Sequence, residues 1–438
     1  MLSLVCNLVW GVPTLLLILS FGIFLSIKTG FFQLRGFGTI FRNTLGSFIS
    51  KENTERKNGI SSKAAFCSVL AATMGTGNII GVASAIIIGG PGAVFWMWIS
   101  AVPGMIVVYA ENFFGVKMAL EGKKGGAVAY TEKALGRPVS VIYAVLCTAA
   151  SFGMGNMVQS NSLSAAFYNE YGVPVYITGA VAAFLTLLVI VGGIKRISSF
   201  TEIFIPVISL LYIAAALFVV IKNYSALPRA FQMIFSSAFG LRAAGGGICG
   251  AALKNAVSTG LKRGVFSNEA GLGTSSVFHS SCSSRKPELQ GMWGISEVFF
   301  DTVICCTLTA LAILCTADTG SLSRTEPVSL VSETFSDCFG RFSGDFVCIS
   351  VSLFAFATIT GWSHCGETAF ARITGNRFRY AYRIFYCLLV LTGASAALET
   401  VWTLSDIFNG LMIIPNIIAL AVLTFKYGIN VPEKNCQQ

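Results

Sequence analysis

Charge is scarce in this chain: 11% of its 438 residues are Asp, Glu, Lys or Arg, against about 25% in soluble domains. So few ionic groups cannot cover a water-facing surface. With 54% hydrophobic residues and a mean hydropathy of +0.73, the chain reads as a polytopic membrane protein. Histidine is nearly missing, with His279 and His364 standing far apart. The thirteen cysteines show no CxxC pair and no repeated spacing, and most lie inside apolar runs. They read as small core residues, not as a disulfide framework, and no transition-metal site is expected. A membrane-embedded enzyme would need convergent His and acid groups or a metal, and that pattern is lacking. The net charge of +10 would suggest nucleic acid only if the basic residues clustered on a soluble face.

Eleven runs of about 20 apolar residues read as spanning helices, at approximately 8–28, 64–88, 94–116, 139–167, 175–194, 200–221, 244–264, 290–315, 345–370, 382–398 and 404–425. The first has neither a basic leading region nor a small-residue cleavage site and is expected to be retained. Residues 31–48, FFQLRGFGTIFRNTLGSF, read as an interfacial amphipathic segment. With the N-terminus outside, 24 of the 30 Lys and Arg fall on one side and five on the other (Lys222, Arg229, Arg242, Arg324 and Arg341), leaving Lys254 inside the seventh span. That asymmetry predicts an outside N-terminus and a cytoplasmic C-terminus, and it makes the positive charge a topology signal with no nucleic-acid partner. The longest exterior segment, about 316–344, carries Asp318, Glu326, Glu333 and Asp337 and reads as a solvated loop.

Residues 71–88, AATMGTGNIIGVASAIII, read as a membrane helix interrupted by its own glycines. Such a break frees backbone N–H and C=O groups, which is tolerable only where protein or a wet cavity takes them up. A second interruption is expected in AAGGGICGAA, Ala243 to Ala252, about half a chain later. Paired interruptions point to an inverted-repeat transporter. Close helix packing is the competing reading, because Gly77 and Gly81 also form a GxxxG pair. Without the first span, ten helices divide as five plus five, and five being odd, the second set enters from the opposite face. The expected organisation is an extra N-terminal span with a cytoplasmic amphipathic segment at 1–63, five-helix repeats at 64–221 and 222–426, and a cytoplasmic tail at 427–438. The repeat rests on spacing and topology, not on residue identity between halves.

Several segments match a known pattern in order along nearly the whole chain: AATMGTGNIIGVASAIIIGGPGAVFWMW (71–98), MVQSNSL (157–163), GGIKRI (192–197), RGVFSNEAGLG (263–273), EVFFDTVICCTLTAL (297–311), FAFATITGW (354–362) and DIFNGLMIIPN (406–416). On these the chain resembles the alanine or glycine:cation symporter family of bacterial and archaeal sodium:alanine carriers. The resemblance implies an all-α, leucine-transporter-type core of five plus five helices with two discontinuous helices, in a prokaryotic cell membrane. It also implies sodium-coupled uptake of small neutral amino acids, with Na+ co-transported and no cofactor. Two positions depart from the family. Ala127, in GGAVAYTEKALG at 125–136, stands where members usually carry proline and a following Tyr pair, a change expected to stay within a cytoplasmic loop. Ala357 stands where serine is common and removes a hydroxyl near the cation, which keeps a proton as the alternative coupling ion.

An amino acid brings a carboxylate, an ammonium and a side chain, and a buried site must satisfy the first two without bulk water. Freed N–H groups at a half-helix N-terminus suit the carboxylate, and Gly75, Thr76, Gly77 and Asn78 are the candidates. Interhelical bonding is the competing role for Thr76 and Asn78. Gly245, Gly246 and Gly247 are the candidate counterparts in the seventh span. Asn156 and Gln159, three apart, share a helix face, and an amide oxygen accepts from an ammonium; the resemblance favours Gln159. Sodium, a hard cation, wants several oxygens, and the carbonyls of Ala71 and Met74 with the Thr358 hydroxyl are the candidate shell. That hydroxyl also has the option of bonding back to its own helix. Gly361 and Trp362 follow in the same run, with Trp362 either capping a small side chain or serving as a core tryptophan.

Glu111, Glu202, Glu297, Asp301, Glu367 and Asp406 lie in or near spans, where acids are costly, and are expected to gate or to pair helices. Lys254 needs a partner for the same reason. Glu269, just after the seventh span beside Lys262 and Arg263, is expected at the cytoplasmic mouth as an inner gate paired with a basic residue, or in a structural turn with Gly271 and Gly273. The expected function is secondary active symport of alanine or glycine with Na+ into the cell by alternating access. The alternatives are proton-coupled symport, a transporter-fold channel or sensor, and a membrane-embedded enzyme.

Overall fold

The computed structural model describes residues 2–48, 59–123, 125–240, 247–317 and 326–432, without the side chains of Ser3, Phe48, residues 247–252, Leu398 and Glu399. Helices dominate, and the strand-like pairing among the described residues is a single bridge between Ile60 and Cys282. Among the described residues, seven helical segments are long and apolar enough to cross a bilayer: Leu4–Lys28, Gly92–Leu120, Arg137–Tyr171, Gly193–Lys222, Pro287–Thr316, Pro327–Thr374 and Thr400–Tyr427. The other expected stretches hold shorter helices, Ser62–Thr73 and Ile80–Gly89, Val175–Ile190, Gly247–Asn268 and Arg379–Gly393.

Gly92–Leu120 is the hub, packed against Val12–Lys28, Gly247–Asn268 and Pro287–Val298. Without an aqueous driving force, membrane helices associate through close backbone approach, which small residues permit. Glycines of the neighbours supply it. A Cβ on Gly22 would lie 2.5 Å from the Pro103 Cβ, one on Gly260 2.4 Å from the Ala93 carbonyl oxygen, and one on Gly294 2.8 Å from Val108. We expect Gly260→Val to destabilise the fold by about 1–3 kcal/mol, the usual range for overpacking a tight interface. The check is thermal unfolding of the purified protein in detergent; an unchanged midpoint would show that this contact is slack.

One stretch departs from the sequence reading, and two others are filled in by the structure. The exterior segment is no loop where it is described: Pro327–Phe339 is an amphipathic helix that buries Leu330, Val331, Thr334 and Phe335. Its apolar residues recur at helical spacing, and Phe335 packs against Tyr212 and Phe346. Leu227–Ala238 is a second such helix, seated on Gly92 and on Trp96, whose indole donates to the Ala238 carbonyl (3.3 Å). The segment after the first span folds as the short helices Phe32–Arg35 and Phe37–Asn43.

Candidate functional site

The first break lies where its glycines are. Ser62–Thr73 starts from a capping Ser61, whose hydroxyl accepts from the Ala64 N–H (3.0 Å). Helical pairing fails after Met74. The Gly75 N–H turns to the Thr73 carbonyl (2.9 Å), and the Thr76 N–H leaves the ladder for Gln159 Oε1 (3.2 Å). The Ala71 carbonyl, freed from Gly75, accepts the Thr358 hydroxyl (3.0 Å), and Gln159 Oε1 also accepts from the Thr76 hydroxyl (3.0 Å). One short 3-10 turn, Thr76–Asn78, precedes the resumed helix Ile80–Gly89. Residues 71–83 are all buried, as are Gln159 and Thr358.

Two other helices aim side chains at this opening. Gln159 follows a π-helical turn, Gly153–Met157, and its Nε2 donates to the Met154 carbonyl (3.1 Å). Such turns expose carbonyls and recur at functional sites. Asn156 does not reach the break and donates to the Tyr386 carbonyl (2.7 Å), so it is an interhelical contact. Gly361 lets Ser343–Thr374 approach closely, since a Cβ there would sit 2.9 Å from the Ala72 nitrogen. Ala71, Gly75, Thr76, Gln159, Thr358 and Gly361 therefore meet at one point. The Met74 side chain turns elsewhere, with its sulfur 3.6 Å from the Ser209 hydroxyl.

Asn78 leads to a second polar centre. Its Nδ2 donates to Asp301 Oδ1 (2.7 Å), while the hydroxyls of Ser267 and Thr302 donate to Oδ2 (2.7 and 2.9 Å). Asp301 sits in another π-helical stretch, Phe299–Cys306. Asn78 Oδ1 is buried without a hydrogen-bond partner. A carboxylate beside a spare amide oxygen is hard-ligand chemistry. The sequence singled out Asp301 as a membrane acid but not its pairing with Asn78, which depends on a contact across 223 residues of chain.

The second break corrects the sequence reading. Gly247 opens a helix that runs without interruption to Asn268, while Gly245 and Gly246 lie outside the described residues. The chain breaks instead at Glu269 to Gly273, where Glu269, Gly271 and Gly273 adopt φ of 55°, 90° and 83°, before Thr274–His279 resumes. Glycine permits a break, but the freed groups need partners. Here they have them: Gly273 N–H donates to Glu111 Oε1 (3.0 Å), Tyr143 to the Leu272 carbonyl (2.6 Å) and Asn416 to the Gly271 carbonyl (2.8 Å). Ala127, expected in a loop, is buried in helix Ala127–Leu135 against Gly273. Glu269 is likewise not at a mouth. It is buried, accepting the Trp362 indole N–H (2.7 Å) and the Thr274 hydroxyl (2.6 Å).

Two discontinuous helices joined by polar side chains in an otherwise apolar bundle are the architecture of a carrier, and the comparisons with known proteins agree. The model of the sodium:alanine symporter family matches residues 1–431. The chain belongs to this family. It is 38% identical to the sodium/alanine symporter AgcS of Methanococcus maripaludis, over 99% of this chain and 96% of that protein. It is 36% identical to the probable sodium/glutamine symporter GlnT of Bacillus subtilis, over 95% and 87%. The crystal structure of MhsT in complex with L-phenylalanine superposes with a TM-score of 0.62 at 16% identity, over 86% of this chain and 91% of that one. That likeness shows a shared fold, which here is all-helical. The protein is a multi-pass membrane symporter, not an enzyme.

On either side of the breaks the symporter differs in character. Lys262 pairs with Asp406 (2.5 Å), and Arg263 lies over the rings of Trp402 and Phe266. Both were expected beside the cytoplasmic mouth. They stand instead at the end where the chain begins: Trp10 donates to the Asp406 carbonyl (2.7 Å), whereas Lys28, at the far end of the first span, donates to the Thr424 carbonyl (3.1 Å). The opposite end holds a cavity of about 930 Å³ lined by Lys195, Arg285, Arg372, Arg379, His279 and His364. Among the described residues no Asp or Glu lines it. Glu367 lies just behind, bound by Arg383 through two hydrogen bonds (2.6 and 2.8 Å).

Proposed function

We propose that the symporter carries a small neutral amino acid, alanine or glycine, into the cell together with Na+ by alternating access around its two helix breaks. The observation that carries this reading is the first break, where the Ala71 carbonyl, the Thr358 hydroxyl and Gln159 Oε1 gather beside backbone N–H groups released from the ladder. In this assignment the N–H groups of Gly75 to Asn78 hold the carboxylate, helped by the partial positive charge of the half-helix that follows. Gln159 Oε1 accepts from the ammonium. The Ala71 and Met74 carbonyls and the Thr358 hydroxyl hold Na+, and Asp301 with Asn78 supplies the negative charge that a cation shell wants nearby. Gly361 and Trp362 bound the side-chain space, and Glu269 steadies Trp362. The role expected of Gly245, Gly246 and Gly247 passes to the stretch from Glu269 to Gly273.

The name of AgcS supports alanine and sodium, and that of GlnT marks larger neutral amino acids as the competitors to test. The cavity belongs to the cytoplasmic side in this reading, because 22 of the 30 Lys and Arg still fall on that side once Lys262 and Arg263 are moved. Residues 64–221 and 222–426 then form the inverted halves behind an extra first span at 1–63, with 427–438 as a cytoplasmic tail. A proton as the coupling ion is the second reading, favoured by the buried methyl of Ala357 beside Thr358.

Uptake into proteoliposomes separates the two readings. A sodium gradient should drive alanine accumulation, with glycine competing and glutamine competing less. Sodium-independent accumulation that collapses with the pH gradient would defeat the sodium assignment. Asp301→Asn should raise the half-saturating sodium concentration by about tenfold, as loss of one charged ligand implies. An unchanged sodium dependence would remove Asp301 from the cation site.

A further inference from the structure

The cavity wall contains both histidines, and His279 is joined to both broken helices. It is 1% exposed, at the end of Thr274–His279. Its Nε2 lies 2.6 Å from Glu297 Oε1, and its Nδ1 lies 2.5 Å from Gln290 Oε1. Gln290 is oriented from its other end, where Nε2 donates to the hydroxyl of Ser62 (2.7 Å) on the first turn of the first broken helix. The Cys282 thiol also donates to Gln290 Oε1 (3.6 Å). Each ring nitrogen thus faces an acceptor. A neutral imidazole donates once, so with Glu297 ionised, satisfying both acceptors takes the imidazolium.

We propose that His279 and Glu297 form a proton-binding site on the cytoplasmic cavity, whose proton fastens the inner ends of the two broken helices together and leaves when they part. Three contacts make up the fastening: the Ser62–Gln290–His279 chain, the Ile60 N–H to the Ser281 carbonyl (3.2 Å), and the Ser283 N–H to the Ile60 carbonyl (2.9 Å). Glu297 is further held by the Ser275 hydroxyl (2.6 Å). The carboxylate in contact with the ring is that of Glu297. Other ionisable groups on the surrounding elements include Cys282, Arg285 and Lys286 on the following loop, Glu288 on the helix that carries Gln290 and Glu297, Lys63 beside Ser62, and Glu202 3.5 Å from Ser61. Lys195, His364, Arg372 and Arg379 line the same cavity, and Glu111 and Glu269 lie within electrostatic reach of Glu297.

While the pair is intact, the buried carboxylate stabilises the charged ring, and breaking a buried pair from one side is costly. Once the helices separate, His279 is an ordinary imidazole and gives up its proton above about pH 6.5. Opening and proton release are therefore linked, and a more alkaline cytoplasm favours opening. This consequence rests on the transport reading; the protonation state does not.

The two-histidine composition allows a direct test on the full chain. With His364→Gln and ring-labelled ¹⁵N histidine in lipid, the remaining imidazole should give imidazolium signals at about pH 7. Adding Glu297→Gln should return it to the neutral pattern. A neutral ring in the first sample overturns the proposal whatever the protein transports, so this failure is distinct from failure of the sodium:alanine reading. In right-side-out vesicles at fixed sodium gradient, uptake should rise several-fold as the internal pH is raised from about 6 to about 8. His279→Gln should flatten that profile while alanine binding stays within a factor of about two, the ring being absent from the substrate site. A profile unchanged by His279→Gln overturns the gating role.

Discussion

Gly75→Ala will lower alanine uptake by about two orders of magnitude, the scale on which a misplacement of about one ångström acts at a binding centre. The added Cβ would lie 2.6 Å from Thr358 Oγ1 and 3.1 Å from Gln159 Oε1. Neither neighbour yields cheaply. Thr358 is β-branched and holds the Ala71 carbonyl, while Gln159 holds both donors of Thr76. The methyl therefore pushes apart the groups assigned to cation and substrate while leaving the apolar spans intact. Gly77→Ala is the steric comparison: it keeps the backbone N–H assigned to the carboxylate, and its Cβ would meet only the ring of Phe266, at 3.6 Å, an ordinary contact. Uptake, membrane insertion and thermal unfolding of both variants check the claim. Transport by Gly75→Ala at the level of the unchanged protein would move the site away from the first break.

Glu269→Ala should cost at least tenfold in uptake and destabilise the protein, since two buried donors, the Trp362 indole and the Thr274 hydroxyl, lose their acceptor at about 1–3 kcal/mol each. Glu269 also carries a left-handed backbone, with φ of 55°. Strain and bonding are separable. Glu269→Gly relieves the backbone and removes the acceptor; Glu269→Gln keeps one acceptor and the strain. If the hydrogen bonds matter, the glutamine variant transports better than the glycine variant. The reverse order would assign the role of Glu269 to its conformation and release Trp362 from this centre.

The two breaks differ in how far the sequence revealed them. In the first, a Gly-Thr-Gly-Asn interruption stands inside an apolar run, and its own neighbours in sequence form the opening. Thr358 and Gln159 were readable as polar residues on apolar helices, and the structure brings both to that opening. The second break was sought at three successive glycines; Gly247 lies in a regular helix, Gly245 and Gly246 lie outside the described residues, and the described break is at Glu269 to Gly273. A glycine run removes only the steric objection to leaving the helix. Gly273 leaves it because Glu111, 162 residues away, accepts its N–H, and Asn416, 145 residues on, takes the Gly271 carbonyl. Glu269 was expected to pair with a base for the same local reason, as Lys262 and Arg263 stand nearby in sequence. In the helix they point to Asp406 and Trp402.

By itself the sequence determined the membrane habit, the first break and the family, because each is written in composition or in short contiguous motifs. The tertiary structure decided where the second helix opens, which acids steady that opening, and that Asn78 meets Asp301 while His279 meets Glu297. Those outcomes turn on finding partners for buried polar groups in a medium that offers no water. Such partners come from distant parts of the chain, where no local pattern announces them.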